Sequence, residues 1–409
     1  MLSRYKSILL LFSTLLLSAT IVVGQKCVDT KELLLLPGKL VEAKSNPFGG
    51  SELELTPSER ATATKNLNTI KSATLKNFKI SGGIAKIDYR VNDKYYFGFY
   101  SHRTYKYALT FYMYLCVNGK QIVSDEYGND LAITINPDLP YYFKAPSLEY
   151  ENGFYADPKK FEGPTIGLFS YLVFENKEMV NIIQNGVGYV EENKGGSDAY
   201  DKAVDIFRTW YIPQKGKKPL IEVTRKEYLE NLLEFYERER ISQTKKYERL
   251  MNESTRYMAE YEKSGNKAMY QSHLENKNKA TKEIEAVRAR SASKAATVSG
   301  ILKSNTEEWL KQPARISPQI RNNSFCDDAG DFKKTGYFTF RTFYDRPDGN
   351  IVYKWSPEYF NQQLQNPAVP LLLSVRMRYK RNSDFSSGLM NDYIKNLDFD
   401  AISKILLVK

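Results

Sequence analysis

Histidine is scarce in this sequence, which contains only His102 and His273 among its 409 residues. A metal site built from several histidines is therefore excluded, and a catalytic histidine would have to be one of these two. His102 falls in a polar stretch that predicts a turn, and His273 falls in a predicted helix. We expect both to be solvent-facing residues with structural roles, and we predict no metal and no cofactor.

Familiar catalytic motifs are missing as well. The sequence has neither the Gly-x-Ser-x-Gly elbow of a serine hydrolase nor the His-Glu-x-x-His helix of a zinc protease. Two carboxylates are enough for glycoside hydrolysis, but Asp327 with Asp328 and Asp398 with Asp400 resemble ordinary turn and cap residues. These absences favour a non-enzymatic protein. The alternative is a glycan or peptide hydrolase with an unrecognised carboxylate site.

Cysteine is nearly as rare, with Cys27, Cys116 and Cys326 present. An odd number means that one cysteine stays unpaired or bonds to another chain. Cys116 ends a predicted strand and Cys326 precedes another. A Cys116–Cys326 disulfide is therefore a candidate pairing, and it would connect the two halves of the predicted β region in an oxidising compartment.

No part of the chain is dominated by charge of one sign. The formal net charge is +11, and acidic and basic residues are interspersed through the long helical region. Nucleic-acid-binding arms have denser basic blocks, so we expect no nucleic-acid partner. A basic balance outside the cell suits anionic lipids, glycans or acidic partners, although it also simply improves solubility. The hydrophobic share of 42% and aromatic share of 13% indicate a folded chain with substantial β structure.

Residues 1–24 have the layout of a cleavable signal peptide. Arg4 and Lys6 supply positive charge, an apolar run covers 8–23, and the mature chain would begin near Gln25. As a helix this run extends about 24 Å, against a bilayer core of about 30 Å, so cleavage is favoured over an uncleaved anchor. We predict export to the periplasm, the cell surface or the medium, with no stable membrane span after cleavage.

Apolar residues with a period of two predict antiparallel strands before residue 223. The clearest strand is Tyr105–Cys116, with a mostly apolar face and an opposite face that includes Tyr112 and Tyr114. Asn118-Gly119 follows, which is the two-residue turn preferred in β-hairpins. Further strands are predicted at 131–135, 166–174 and 220–223.

Two capping boxes predict where helices begin. Thr56-Pro57-Ser58-Glu59 opens a helix that ends near Leu75, and Thr224-Arg225-Lys226-Glu227 opens a heptad-like region. Its seam contains Tyr236, Tyr247 and Tyr257 but is interrupted by polar residues. Ser264-Gly265-Asn266 ends this helix and a second one follows, so 225–303 is predicted to be an antiparallel, coiled-coil-like hairpin. Its first arm, about 57 Å long, is long enough to project from the β body.

The period of two returns at 337–343 and 371–379. In the second segment Arg376, Arg378 and Lys380 lie opposite the apolar face, and such charges favour the edge of a sheet. A short helix is predicted at the C-terminus, with Asp400 as its cap.

These patterns predict an α+β fold with an inserted helical hairpin. Residues 25–223 and 305–409 would form one antiparallel β body, interrupted by the hairpin at 224–304. A two-domain chain is the alternative.

Three short segments carry a resemblance to other proteins: Thr224-Arg225-Lys226-Glu227-Tyr228-Leu229, Trp309-Leu310-Lys311-Gln312-Pro313-Ala314 and Asn396-Leu397-Asp398-Phe399-Asp400. They resemble segments of exported proteins of unknown function from Bacteroidetes-type bacteria. The resemblance implies a cell-envelope or secreted setting, and it brings no activity and no functional residue.

The sequence therefore predicts an exported, non-enzymatic binding or structural protein of the cell envelope. We expect contact with an envelope protein or glycan through the hairpin or the tyrosine-rich strand. The candidate contact residues are Tyr112, Tyr114, Tyr236, Tyr247 and Tyr257.

Overall fold

The computed structural model describes residues 26–42, 55–76, 78–97, 100–124, 129–139, 143–145, 171–174, 177–194, 205–316, 340, 342–360, 366–380 and 383–406. The predicted signal peptide, Cys326, Asp327 and Asp328 lie outside these residues. The described chain has the predicted α+β fold, with mostly antiparallel sheets and a long helical hairpin.

The strands fall into two sheets within the described part of the chain. Their bounds are β1 (Lys39–Glu42), β2 (Gly83–Phe97), β3 (Tyr100–Val117), β4 (Lys120–Val123), β5 (Asn129–Ile135), β6 (Phe143–Ala145), β7 (Tyr171–Val173), β8 (Val190–Lys194), β9 (Asp205–Pro213), β10 (Leu220–Glu222), β11 (Arg315–Ile316), β12 (Asn350–Trp355) and β13 (Leu372–Lys380). The large sheet has the order β1-β2-β3-β5-β13-β9-β8, with β4 paired to β3, and the smaller has the order β10-β12-β7-β6, with β11 paired to β12. Both sheets thus combine strands from before and after the hairpin.

The predicted strand around Tyr105–Cys116 is confirmed as β3, the longest strand described. It pairs with β2 and β5, so that Tyr107 lies opposite Tyr89 and Ile133 on the buried face. The turn after it is also confirmed, because Asn118 and Gly119 both have positive φ, 52° and 71°. The predicted strands at 131–135 and 220–223 correspond to β5 and β10, whereas only 171–173 of the segment predicted at 166–174 form a described strand.

Strand β13 lies inside the large sheet, between β5 and β9, so its predicted edge position is wrong. Its charges have a different explanation. Arg378 makes an ion pair with Asp205 on β9, and a guanidinium nitrogen of Arg376 lies 3.8 Å from a carboxylate oxygen of Asp130 on β5. Carboxylates on both neighbouring strands thus accommodate basic side chains at an interior position.

The helices are α1 (Thr30–Leu33), α2 (Pro57–Leu75), α3 (Lys177–Asn185), α4 (Arg225–Ser264), α5 (Lys267–Ser304), α6 (Glu307–Leu310), α7 (Asp384–Asn396) and α8 (Phe399–Ser403). The predicted capping box of α2 is confirmed, with reciprocal hydrogen bonds between Thr56 and Glu59. Its apolar stripe, Ala63, Leu67 and Ile70, packs with residues of α7 and the large sheet in one core. None of the described helices is long and apolar enough to cross a membrane.

The C-terminal region differs from the prediction in two ways. Helix α7 was not predicted, although Met390 and Tyr393 bury against the large sheet. The cap of the last helix is Asp398 and not Asp400, because an Asp398 carboxylate oxygen accepts a hydrogen bond from the Ala401 amide at 2.8 Å.

His102 lies within β3 opposite Tyr95, and its side chain is only 1% exposed, so the predicted solvent-facing turn is wrong. Burial lowers the pKa of His102 to about 4. The strand predicted at 337–343 is not formed at Phe340 or at 342–343, and its other residues lie outside the described part. Phe340 and Phe343 instead pack against the base of the hairpin.

Cys116 forms a disulfide with Cys27, so the candidate pairing with Cys326 is wrong. The N-terminal segment is brought to the end of β3 by local contacts: the Cys27 amide donates to the Gly119 carbonyl at 3.2 Å, and the Cys116 amide donates to the Thr30 hydroxyl at 3.2 Å. This arrangement could not be read from the predicted strands, because residues 26–34 had no predicted element.

Candidate recognition surface on the helical hairpin

The two ends of the hairpin enter the body side by side. The Arg225 amide donates to the Gln312 carbonyl at 2.9 Å, and the Ala314 amide donates to the Val223 carbonyl at 2.8 Å. Because entry and exit are adjacent, the hairpin extends from one point of the smaller sheet. Its turn is at Gly265, whose φ of 70° ends α4.

The base of the hairpin is anchored in an apolar and aromatic core. Tyr228 on α4 stacks on Tyr171 of β7 at 6.0 Å between ring centroids and packs edge-on to Phe343 at 5.5 Å. On α5, Val298 is fully buried in the same cluster. This end of the hairpin is therefore part of the folded body.

Further along, a buried ion pair joins the two helices. A Lys294 ammonium lies 2.9 Å from a Glu239 carboxylate oxygen, and the two side chains are 7% and 8% exposed. Ser291 donates to the Tyr236 carbonyl at 3.2 Å at the neighbouring level. Polar residues at this level therefore bond across the hairpin, whereas Arg240 on the predicted seam pairs with Glu237 on its own helix.

Aromatic rings line the contact between the helices near the turn. The His273 ring on α5 stacks on Tyr257 at 5.0 Å and on Tyr261 at 5.5 Å between centroids. Adjacent rings of this kind present flat, partly apolar faces with polar edges.

An open groove of about 660 Å³ runs between α4 and α5 next to these rings. Ser254 and Ala280 are nearly buried small residues among its lining, and Leu250 is 40% exposed. The lining residues are Lys246, Tyr247, Leu250, Glu253, Ser254 and Tyr257 from α4, and His273, Asn276, Lys279, Ala280 and Glu283 from α5. They combine a narrow floor, aromatic walls and charges of both signs.

The structure divides the five predicted contact tyrosines. Tyr247 and Tyr257 line the groove, as a contact role requires. Tyr236 is only 1% exposed and its hydroxyl accepts a hydrogen bond from the Phe340 amide at 3.3 Å, so it is a core residue. Tyr114 is buried at 4% exposure, while Tyr112 is partly exposed with the Lys86 ammonium 4.1 Å from its ring centroid. Tyr236 and Tyr114 are thus wrong as contact residues.

Apart from Tyr247 and Tyr257, the residues that line the groove were not predicted as site residues, and they include Ser254, His273 and Ala280. The sequence contained a signal for Ser254 and Ala280. Both are small residues at seam positions where most other side chains are larger, and small residues leave space between antiparallel helices. The stacking of His273 on two tyrosines could not be predicted, because it depends on the exact register of the two helices.

Among the described residues, no group of three histidine, cysteine or carboxylate side chains is placed to hold a metal ion. Asp398, considered above as part of a catalytic pair, is occupied as a helix cap.

Comparisons with protein-family models, with curated proteins and with solved structures found no match for this chain.

Proposed function

We propose that this chain is an exported binding protein of the cell envelope whose hairpin recognises a helical segment of a partner protein. The groove between α4 and α5 carries this proposal. From Lys246 to Tyr257 its α4 wall covers about three helical turns, or about 16 Å, a length that suits a short helix lying along the groove.

The lining residues support a helical occupant. Amphipathic helices bind grooves by inserting side chains spaced three and four residues apart, and small floor residues leave room for such insertions. Ser254 and Ala280 supply that room, while Tyr247 and Tyr257 supply ring faces for apolar or aromatic anchors. Lys246 and other charges of both signs are available at the groove to fix register and orientation.

The location rests on two independent features. The predicted signal peptide at 1–24 would direct export. The Cys27–Cys116 disulfide is consistent with an oxidising compartment, since disulfides seldom persist in the reducing cytosol. The resemblance to exported proteins of Bacteroidetes-type bacteria remains a prediction, and it agrees with export to an oxidising compartment.

A shortened arm tests the role of the groove. Deleting 246–285 and joining the ends with a glycine-containing turn removes every groove residue but keeps Tyr236 and Val298 in the base. We expect this variant to fold and to lose the partner that the intact chain retains from its native envelope. Near-ultraviolet circular dichroism checks the fold.

Site-specific crosslinking then identifies the occupant. A photoreactive residue at Tyr257 should crosslink to a segment that is helical in the partner, whereas the same residue at Arg249, whose side chain is 74% exposed and outside the groove lining, should not. Crosslinks only between copies of this chain would assign the groove to self-association. Equal capture from Tyr257 and Arg249, or capture by the shortened arm, would contradict the proposal.

A further inference from the structure

The charged residues of the hairpin groove follow a reciprocal pattern along its two walls. On the α4 wall, Lys246 lies towards the body and Glu253 lies towards the turn. On the α5 wall the signs are exchanged, with Glu283 towards the body and Lys279 towards the turn. Each wall therefore carries one cation and one anion, so it is complementary in charge to a copy of itself that runs in the opposite direction.

Both walls have their midpoint at the same level of the hairpin. Leu250 lies between the two charges of the α4 wall and is 40% exposed, although it is a large apolar residue. On α5, Thr281 lies midway between Lys279 and Glu283. The Thr281 hydroxyl donates to the sulfur of Met251, the residue after Leu250, at 3.8 Å. A two-fold axis that crosses the hairpin at this level would therefore place each ammonium and carboxylate of the groove opposite a group of opposite charge in a second copy.

The part of the hairpin beyond the body is centred on Leu250 as well. Tyr236 is the α4 residue nearest the turn that is buried in the core at the hairpin base, and Gly265 ends α4 at the turn. From Leu250 these two residues lie about 21 and 22 Å away along the helix, in opposite directions. Two hairpins that pair antiparallel about Leu250 would therefore overlap along this whole length, and the turn of each would end where the body of the other begins.

The same pairing matches side chains of different size. Tyr247 and Ser254 lie on either side of Leu250 in the groove lining, one helical turn away from it in each direction. Antiparallel pairing places the Tyr247 ring of one copy near the small, buried Ser254 of the other. Leu250 of each copy then lies against its counterpart at the two-fold axis. Packing of large against small residues and burial of exposed apolar side chains both stabilise paired helices.

We propose that the helical partner of the groove is a second copy of this chain, whose hairpin packs antiparallel on the first about a two-fold axis at Leu250. This inference rests on the proposed function of the groove and specifies its occupant. Lys246 of each copy meets Glu253 of the other, and Lys279 meets Glu283 in the same way. The two bodies lie at opposite ends of the resulting four-helix arm.

Charge reversal tests the pairing, with sedimentation velocity of the intact chain over a range of concentrations as the measurement. The unmodified chain should form a dimer. Lys246→Glu and Glu253→Lys should each weaken dimerisation about tenfold or more, because each variant places like charges opposite one another at two symmetric positions. Arg288→Glu makes the same change of charge at an exposed residue outside the groove lining, and it should alter the dissociation constant less than about threefold.

Mixing the two variants provides the sharpest test. An equimolar mixture of Lys246→Glu and Glu253→Lys should form a heterodimer about as stable as the original dimer, because every opposed pair again has opposite signs. Recovery on mixing also excludes misfolding as the cause of the single-variant losses. Parallel pairing would give no recovery, since Lys246 would then meet Glu283 of the other copy.

Photocrosslinking from Tyr257 separates failure of this inference from failure of the proposed function. If the second copy is the occupant, the crosslink should join two copies of this chain. A monomeric chain whose Tyr257 probe reacts with a helix of another protein would overturn self-pairing and leave the proposed function intact. A monomeric chain without any crosslink would overturn both. Dimerisation that Lys246→Glu leaves unchanged, or no recovery in the mixture, would also overturn the antiparallel pairing.

Discussion

Asn136 connects chain segments that lie before and after the hairpin, and its replacement by alanine offers a quantitative test of the fold. The side chain is fully buried. Its oxygen accepts from the Leu371 amide at 2.8 Å, and its nitrogen donates to the Val369 carbonyl at 3.0 Å and the Arg103 carbonyl at 3.3 Å. Its φ of 49° is in the left-handed region, which asparagine tolerates better than alanine does.

Two effects of Asn136→Ala add together. Placing alanine at this φ costs about 1 kcal/mol. Each buried backbone group left without a partner costs about 1–3 kcal/mol, and the Leu371 amide and Val369 carbonyl both depend on this side chain. We therefore expect the free energy of unfolding to fall by about 3–7 kcal/mol, most of it from hydrogen bonding.

Asn118 provides a matched control. It is the other described residue besides glycine with positive φ, at 52°, but it lies exposed in the β3–β4 turn. Asn118→Ala should cost only the backbone part, about 1 kcal/mol. Urea unfolding followed by circular dichroism measures both variants. Equal losses of stability would refute the reasoning that the buried hydrogen bonds of Asn136 contribute most of its effect.

Three further predictions concern the described interior. Because burial lowers the pKa of His102 from 6.5 to about 4, the unfolded chain binds this proton more readily. Acidification from pH 6.5 towards pH 4 should therefore reduce stability by up to about 3 kcal/mol, and pH-dependent urea unfolding of His102→Gln should lack this component. Lys294→Met should cost about 3–5 kcal/mol by leaving Glu239 buried without its partner, and adding Glu239→Leu should recover much of the thermal stability; no recovery would contradict this pairing argument. Cys27→Ser opens a disulfide with a sequence separation of 89 and should cost about 2–5 kcal/mol in denaturant unfolding, whereas Cys326→Ser should leave that disulfide, and so its contribution, unchanged.

Local sequence patterns determined the elements that are stabilised by contacts between residues close together in the chain. Thr56 and Glu59 cap α2 through mutual hydrogen bonds three residues apart, and Asn118-Gly119 makes the β3–β4 turn because both residues accept positive φ. Gly265 ends α4 for the same reason. The heptad-like spacing likewise predicted the hairpin that the structure contains.

Long-range pairing was decided only by the tertiary structure. The pattern around Arg376 and Arg378 predicts an edge strand. The structure shows an interior strand instead, in which Asp130 and Asp205 on the neighbouring strands lie next to these basic side chains. Cys116 likewise forms its disulfide with Cys27, a residue that lies outside any predicted strand.

The candidate recognition surface also depends partly on sequence pattern and partly on tertiary packing. Tyr247 and Tyr257 were identifiable from their seam positions, but Tyr236 shares that pattern and is buried, because burial depends on what packs against each turn of the helix. Lys106 and Arg376 are distant in the chain and share one face of the large sheet only through strand register. A period of two reveals which side chains share a face of one strand, and only the order of strands in the sheet determines which of them become neighbours.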